Sequence, residues 1–387
     1  MSMREFRLSP LWRALWLAAL VLALWLASSV SGWAAQPPPA QTATPTATPA
    51  PALGPDRFPA GVNPLTGLTV EDASLLSLPP ALVSVSNFPV SARPQSGLSF
   101  AAYVFEMYIG EGMTRFLALY YGEFPQAADD APQATPTISD AAVGPIRSGR
   151  LPYQKLRSLY NGFLVMASAS GEVRTQLSNA ANVFGSDASD INSALIEVPQ
   201  LEALAQTNAG SRSRNLTGNL FSLTAPAGGQ EAKSLWVFYA YLNQVLWEYD
   251  PSYQAYLRSQ DKSDGSGMFY PSTDRLTGEQ LAFENVIVLF VRHEPLNSSK
   301  TLIDLDLLFN QGKAYLFRDG MMYPIYWSTA SGEYEKKTGQ FRPIRFVDRQ
   351  GNPIALKPGR TWVEIVDVSA TLQEVKPSSW KVRFYAP

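Results

Sequence analysis

The 387-residue chain contains no cysteine and a single histidine, His293. Without cysteine no disulfide can brace the fold, so stability rests on the hydrophobic core, and cysteine-dependent transpeptidation is excluded outright. Zinc sites normally draw on several His or Cys ligands, which this chain cannot supply. His293 follows the apolar run 286–291 and precedes Glu294-Pro295. A lone histidine in that position is expected at the surface rather than as a base or switch. Charge is nearly balanced, 31 Lys and Arg against 33 Asp and Glu, so the basic surplus that nucleic-acid binding requires is missing. There is no repeat at solenoid spacing, no G-x-S-x-G elbow, no phosphate loop and no dinucleotide fingerprint. Ser378-Ser-Trp-Lys381 and Lys337-Thr-Gly339 match two marks of penicillin-recognising enzymes, but in reversed order and without S-D-N, as chance matches do. The stretch 261–267 faintly suggests a calcium loop without its distal glutamate, and reads as a hairpin tip. No cofactor and no metal are expected.

What is present begins with an address. Arg4, Arg7 and Arg13 precede residues 14–35, which carry no charge. A basic start followed by an apolar run marks an export signal, and this run is about as long as the ~20 residues of a bilayer span. Small residues at 28–35 suit cleavage, so residues 1–35 are either a signal peptide or an uncleaved N-terminal membrane anchor, a transmembrane helix. In both cases the rest of the chain is expected to be extracytoplasmic, membrane-anchored or secreted. Residues 36–57, rich in Pro, Thr and Ala, form a spacer that cannot bury a core. Residues 126–140 have the same character and are expected to be a disordered surface loop.

The body of the chain reads as α+β. An N-terminal mixed α/β domain is expected over 58–224, with strands at 81–86, 103–108, 115–121 and 163–167 and helices at 151–161, 171–181 and 193–206. The small, polar stretch 225–233 is the expected linker to a mostly antiparallel β domain, 234–387, with no convincing helix. Asn310-Gln-Gly and Arg349-Gln-Gly-Asn look like its hairpin turns. Its aromatic region places Trp236 and Phe238 on one strand face and Tyr239 and Tyr241 on the other. One face must be core, and the other could be a platform for sugar rings or peptide.

Three motifs stand out in order: Arg93-Pro-Gln-Ser-Gly-Leu-Ser99, Phe105-Glu-Met-Tyr-Ile-Gly-Glu-Gly-Met-Thr-Arg-Phe116 and Gly144-Pro-Ile-Arg-Ser-Gly-Arg150. With Asn63-Pro-Leu-Thr-Gly-Leu68 before them and Phe283-Glu-Asn-Val-Ile-Val288 after, they resemble the YerB-like lipoproteins, the domain of unknown function numbered 3048. The resemblance runs from about residue 63 to 367. It implies a bacterial cell-envelope protein and no particular reaction. Met113 stands where that family usually has glycine and Phe105 where it has tyrosine. The cysteine that would take the lipid anchor is absent. Histidines frequent in the family are missing from 217–222 and from the segment before Asp274.

The same motifs gather the candidate site: Arg93, Glu106, Glu111, Arg115, Arg147 and Arg150. Glu106 ends an apolar strand, and Glu111 lies between two glycines that let a ligand approach the backbone. Arginines grip carboxylates or phosphates bidentately. Two adjacent carboxylates can be driven to different pKa values, as glycan cleavage demands. The blander arrangement pairs each glutamate with an arginine and simply fixes the loops. The leading expectation is a non-catalytic, envelope-associated binding protein whose ligand is a cell-wall or surface polymer or an envelope partner protein. The alternative is a glycan-acting hydrolase or lyase using Glu106 and Glu111.

Overall fold

The computed structural model describes residues 51–126, 141–210 and 214–387. The export segment 1–35, all but the end of the spacer 36–57, and all but Gln126 of the loop 126–140 lie outside these residues. Among the described residues no helix is long and apolar enough to cross a membrane.

Among the described residues β-strand is the commonest regular structure, and helices are few and short. The principal strands are β1 (Ala81–Ser86), β2 (Tyr103–Gly110), β3 (Met113–Tyr120), β4 (Phe163–Met166), β5 (Ala180–Asn182), β6 (Ser234–Ala240), β7 (Asn243–Asp250), β8 (Ala255–Asp261), β9 (Asn285–Phe290), β10 (Gln311–Arg318), β11 (Met321–Ser328), β12 (Arg345–Val347), β13 (Thr361–Val366), β14 (Thr371–Lys376) and β15 (Ser379–Arg383). The helices are α1 (Leu151–Leu159), α2 (Gly171–Arg174), α3 (Val198–Thr207) and α4 (Glu333–Thr338). An 11-stranded sheet runs β12-β11-β10-β9-β13-β2-β3-β1-β4-β5, with Gln230–Glu231 also paired to β11. A 7-stranded sheet runs from Phe269–Pro271 through β8, β7, β6, β15 and β14, with Ala282–Phe283 paired to β8.

The large sheet is covered on both faces. Val83, Val85, Val104, Phe116 and Trp362 pack towards Leu235, Val237, Trp247 and Tyr256 of the second sheet. Leu82, Phe105, Met107, Leu117 and Ile365 pack on the other side with Tyr153, Leu156 and Leu159 of α1. All residues of β1, β2 and β13 are therefore buried, which is why these strands read as continuous apolar runs rather than as alternating ones. Helix α1 begins with Pro152 in its first turn, where no N–H is needed. It stops at Asn161, with φ of 50°, followed by Gly162, whose added Cβ would meet the Pro80 carbonyl at 2.4 Å.

The composition break at 225–233 divides the sequence but not the sheet. The described residues form one compact unit. Strand β13, from the far end of the chain, lies between β9 and β2 and parallel to both.

Several expected elements change. The helix expected over 171–181 ends at Arg174, because Asn179 (φ 54°) turns the chain and Ala180–Asn182 pairs with β4. The helix expected over 193–206 starts only at Val198, since Ile196–Glu197 is bridged to Ala142–Val143. The C-terminal half does contain a helix, α4, closed by the Glu335 side chain reaching back to the Gly332 N–H at 2.7 Å. Asn310-Gln-Gly leads into β10 and is not the hairpin turn; Asp319-Gly320, both at positive φ, turns β10 into β11. Tyr239 joins the core, whereas Tyr241 sits exposed in the β6–β7 turn. Trp236 and Phe238 lie half-buried on the outer face, beneath Lys381, whose ammonium is 3.4 Å from the Trp236 ring centre. His293 is buried rather than at the surface, only 4% exposed. Its ring lies against Phe384, with Nδ1 2.9 Å from the Val291 carbonyl. That burial pushes the imidazole pKa down.

Candidate functional site

The β2–β3 hairpin carries Glu106, Glu111 and Arg115. Its turn residues Glu111 (φ 52°) and Gly112 (φ 77°) both adopt the left-handed backbone that tight hairpins require. Glu111 is consequently at the exposed tip. Below it the strand register shifts between Tyr108 and Gly110, so Glu106 lies opposite Phe116 and Met107 opposite Arg115. Glu106 thus faces the second sheet while Arg115 faces the α1 side.

On the second-sheet side Glu106 is fully enclosed. Its Oε1 accepts from Thr114 Oγ1 at 2.7 Å and its Oε2 from Arg258 Nη2 at 2.9 Å. Arg258, 1% exposed, also donates to Gln260 Oε1 and Ser272 Oγ, and its guanidinium lies 4.7 Å from the Trp362 ring centre. A third charged residue, Glu364, is level with Glu106 on the neighbouring β13 and equally buried. It accepts from Trp247 Nε1 at 2.8 Å and lies 2.9 Å from the Tyr239 hydroxyl. Burial, and then the charge of Glu106, push the Glu364 carboxyl up to about 8. At neutral pH it holds its proton, which leaves one carboxylate for one guanidinium. Arg93 belongs to this side as well. Its Nε donates to Asn87 and its Nη1 to the Asp261 carbonyl and the Tyr270 hydroxyl, which ties the 87–95 loop to the second sheet.

The opposite side has arginines and, among the described residues, no acid. Residues 144–150 thread between the ends of the parallel strands β1 and β4. Ser86 N–H donates to Pro145 O, Arg147 N–H to Ser84 O, Ala167 N–H to Arg147 O and Gly149 N–H to Ser168 O. An added Cβ at Gly149 would crowd the ends of the Met166 and Leu177 side chains, which would have to shift. This threading places Arg147 and Arg150 beside Arg115, with Arg150 immediately before the first residue of α1. Arg115 is only 5% exposed, and its one side-chain hydrogen bond among the described residues is from Nη1 to Ser148 O at 3.0 Å. Arg147 Nη1 reaches Ile191 O, and Arg150 Nη1 the neighbouring Gly149 O. The buried Nε atoms of all three have no acceptor among the described residues. Burial, then the charges of Arg150 and Arg147, push the Arg115 guanidinium down to about 9. Burial also lowers Arg147 and Arg150, and no carboxylate offsets the effect at any of the three. Tyr153 OH, 3.3 Å from Ser84 Oγ, completes the floor.

The expected six-residue cluster is therefore split: Arg93 with Glu106 on one face, Arg115 with Arg147 and Arg150 on the other, and Glu111 with neither. Arg258 and Glu364 escaped the sequence reading. Their signal was present as Arg258 and Gln260 in step with Tyr256, and as one carboxylate inside Thr-Trp-Val-Glu-Ile-Val. A charge at an inward position demands a partner. Among the described residues no group of three or more His, Cys, Asp or Glu side chains converges as a metal would require. A cleft of about 380 Å³ opens elsewhere, beside Asn63, Tyr121, Glu123 and Arg360, and none of the six residues lines it.

Comparison with known proteins agrees with the motif order. Residues 65–230 match the model "Protein of unknown function (DUF3048) N-terminal domain", and residues 236–363 match the corresponding C-terminal domain. The chain is 28% identical over 320 residues to "Putative lipoprotein YerB" of Bacillus subtilis (strain 168), covering 78% of this chain and 85% of that one. The crystal structure of the YerB protein from Bacillus subtilis is similar with a TM-score of 0.60 and 26% identity, over 79% of this chain and 97% of that one. The chain belongs to the DUF3048 family.

Proposed function

We propose that this DUF3048 protein is an extracytoplasmic, envelope-associated binding protein whose ligand presents an anionic group to Arg115, Arg147 and Arg150. The ligand is a cell-wall or surface polymer, or an acidic envelope partner. The observation that carries this reading is three neighbouring guanidiniums with no carboxylate beside them among the described residues, one of them 95% withdrawn from water. An arrangement of that kind raises its own electrostatic energy and is relieved by an incoming anion. The uncharged run 14–35 after three arginines supports the envelope address, as does the lipoprotein description of the Bacillus relative.

Glycan cleavage finds less support. Glu106 has no exposed surface, is committed to Arg258, and points away from the arginine face. The test is co-sedimentation of the purified full-length chain with envelope polymer. Arg147→Gln/Arg150→Gln is expected to lose at least ten-fold in retention while keeping its melting temperature. Unchanged retention by that double variant would sink the reading.

A further inference from the structure

We propose, building on the anion-binding reading, that the group received at Arg115, Arg147 and Arg150 is a terminal phosphoryl group, a phosphate monoester dianion or inorganic phosphate, rather than a carboxylate. The argument is one of matching valence. A carboxylate has two oxygens and one charge, which a single bidentate arginine satisfies. Here three guanidiniums lie within electrostatic reach of one another. Among the described residues the buried Nε of each is without an acceptor and no acid shares their charge. A dianion with three terminal oxygens uses that excess of donors; one carboxylate leaves most of it unmet.

The backbone contributes independently. Arg150 precedes the nine-residue helix α1, and no side chain caps that N-terminus. The helix start therefore presents the N–H of Leu151 and the positive end of its dipole on the side where the arginines gather. The loop that delivers Arg147 and Arg150 lies at the carboxyl ends of the parallel pair β1 and β4, the edge at which parallel sheets commonly receive ligands. Arg115 rises from β3 beneath it, almost wholly buried, with Nη1 held by Ser148 O and Nε unmatched. A buried arginine in this position has one role that its own surroundings do not fulfil, which is to meet an oxyanion from outside.

The experiment titrates the full-length chain in detergent with inorganic phosphate, glycerol 1-phosphate, the diester glycerophosphocholine and glutarate, at constant ionic strength, by calorimetry and thermal shift. Phosphate and the monoester are expected to bind, and the diester and dicarboxylate at least ten-fold more weakly. Affinity should strengthen as pH rises through the second phosphate ionisation near 6, which a merely structural arginine cluster would not produce. Arg150→Gln, at a partly exposed position, should weaken phosphate at least ten-fold without lowering the ligand-free melting temperature. Arg115→Gln is the second variant, read by affinity relative to its own melting temperature. Inorganic phosphate bound as well as the monoester points to a free anion; strong preference for the monoester points to a phosphorylated sugar, polymer end or lipid headgroup. Either supports the proposal. Glutarate binding as tightly through the same arginines overturns the phosphoryl assignment and leaves the anion-binding reading standing. Binding of envelope polymer that ignores all three arginines removes both.

Discussion

The two faces of the β2–β3 hairpin handle buried charge in opposite ways. Towards the second sheet, Glu106 and Arg258 neutralise one another, Glu364 is driven to keep its proton, and every oxygen of the two carboxyls has a partner. Towards α1, Arg115, Arg147 and Arg150 are left with carbonyl oxygens and one another. On the first face Glu106 supplies the counter-charge for Arg258; on the second, among the described residues, no acid does the same for the three arginines. Buried ion pairs contribute little net stability, yet losing one partner is costly. Mutations on the two faces should therefore shift stability in opposite directions.

The largest expected effect is on the first face. Arg258→Met leaves Glu106 enclosed without its counter-charge, and stability should fall by about 3–5 kcal/mol in urea unfolding. Glu106→Gln should destabilise in the same direction, because Arg258 is then unpaired. A loss under about 1 kcal/mol for both would mean that the network is not closed in the way described. Next comes pH. The Glu364 carboxyl ionises at 4.5 in an unfolded chain and at about 8 when folded, so between those values the folded state holds one proton more. Stability should then decline by a few kcal/mol at most as pH rises from about 4.5 to about 8, and level off above that. In Glu364→Gln this contribution to the slope disappears; an unchanged slope in the variant would assign the proton elsewhere.

On the second face the sign reverses. Arg115→Met removes a desolvated charge that no acid balances, and stability should hold or rise by about 1 kcal/mol. A loss of the size expected for Arg258→Met would show that both faces are structural. The smallest effect belongs to the tip. Glu111→Asn places the Asn-Gly pair favoured in tight hairpins at a left-handed position, with a gain of less than about 1 kcal/mol in thermal unfolding.

The hairpin also explains what the sequence could reveal. Its two strands and glycine-flanked turn were legible from composition, and so were β1, β4 and the start of α1. The side on which each charge falls was not. Glu106 and Tyr108 share a face by strand alternation. With unbroken register from the Gly110–Met113 pair, Tyr108 would lie opposite Arg115, and Glu106 and Arg115 would share a face as expected. One extra residue, at Ile109, shifts the register and sends Arg115 to the other face. Arg258 and Glu364 were missed for a related reason. Their strands are covered on both sides, so neither alternation nor polarity marks which residues look inward. His293 was misplaced because a strand-end position does not reveal that Phe384 and Asp367 close over it.

The seat of β13 has a bearing on how such a molecule is made. A chain emerging N-terminus first produces β2 early, but its hydrogen-bonding neighbour on one edge is synthesised more than two hundred residues later. Until Thr361–Val366 arrives, β2 presents an unpaired apolar edge, and β9 waits with another. So long-range a closure makes for high contact order and slow, late completion. The nascent protein must therefore be shielded through most of its own synthesis, and a truncation before residue 361 would leave the large sheet as two open-edged, aggregation-prone halves.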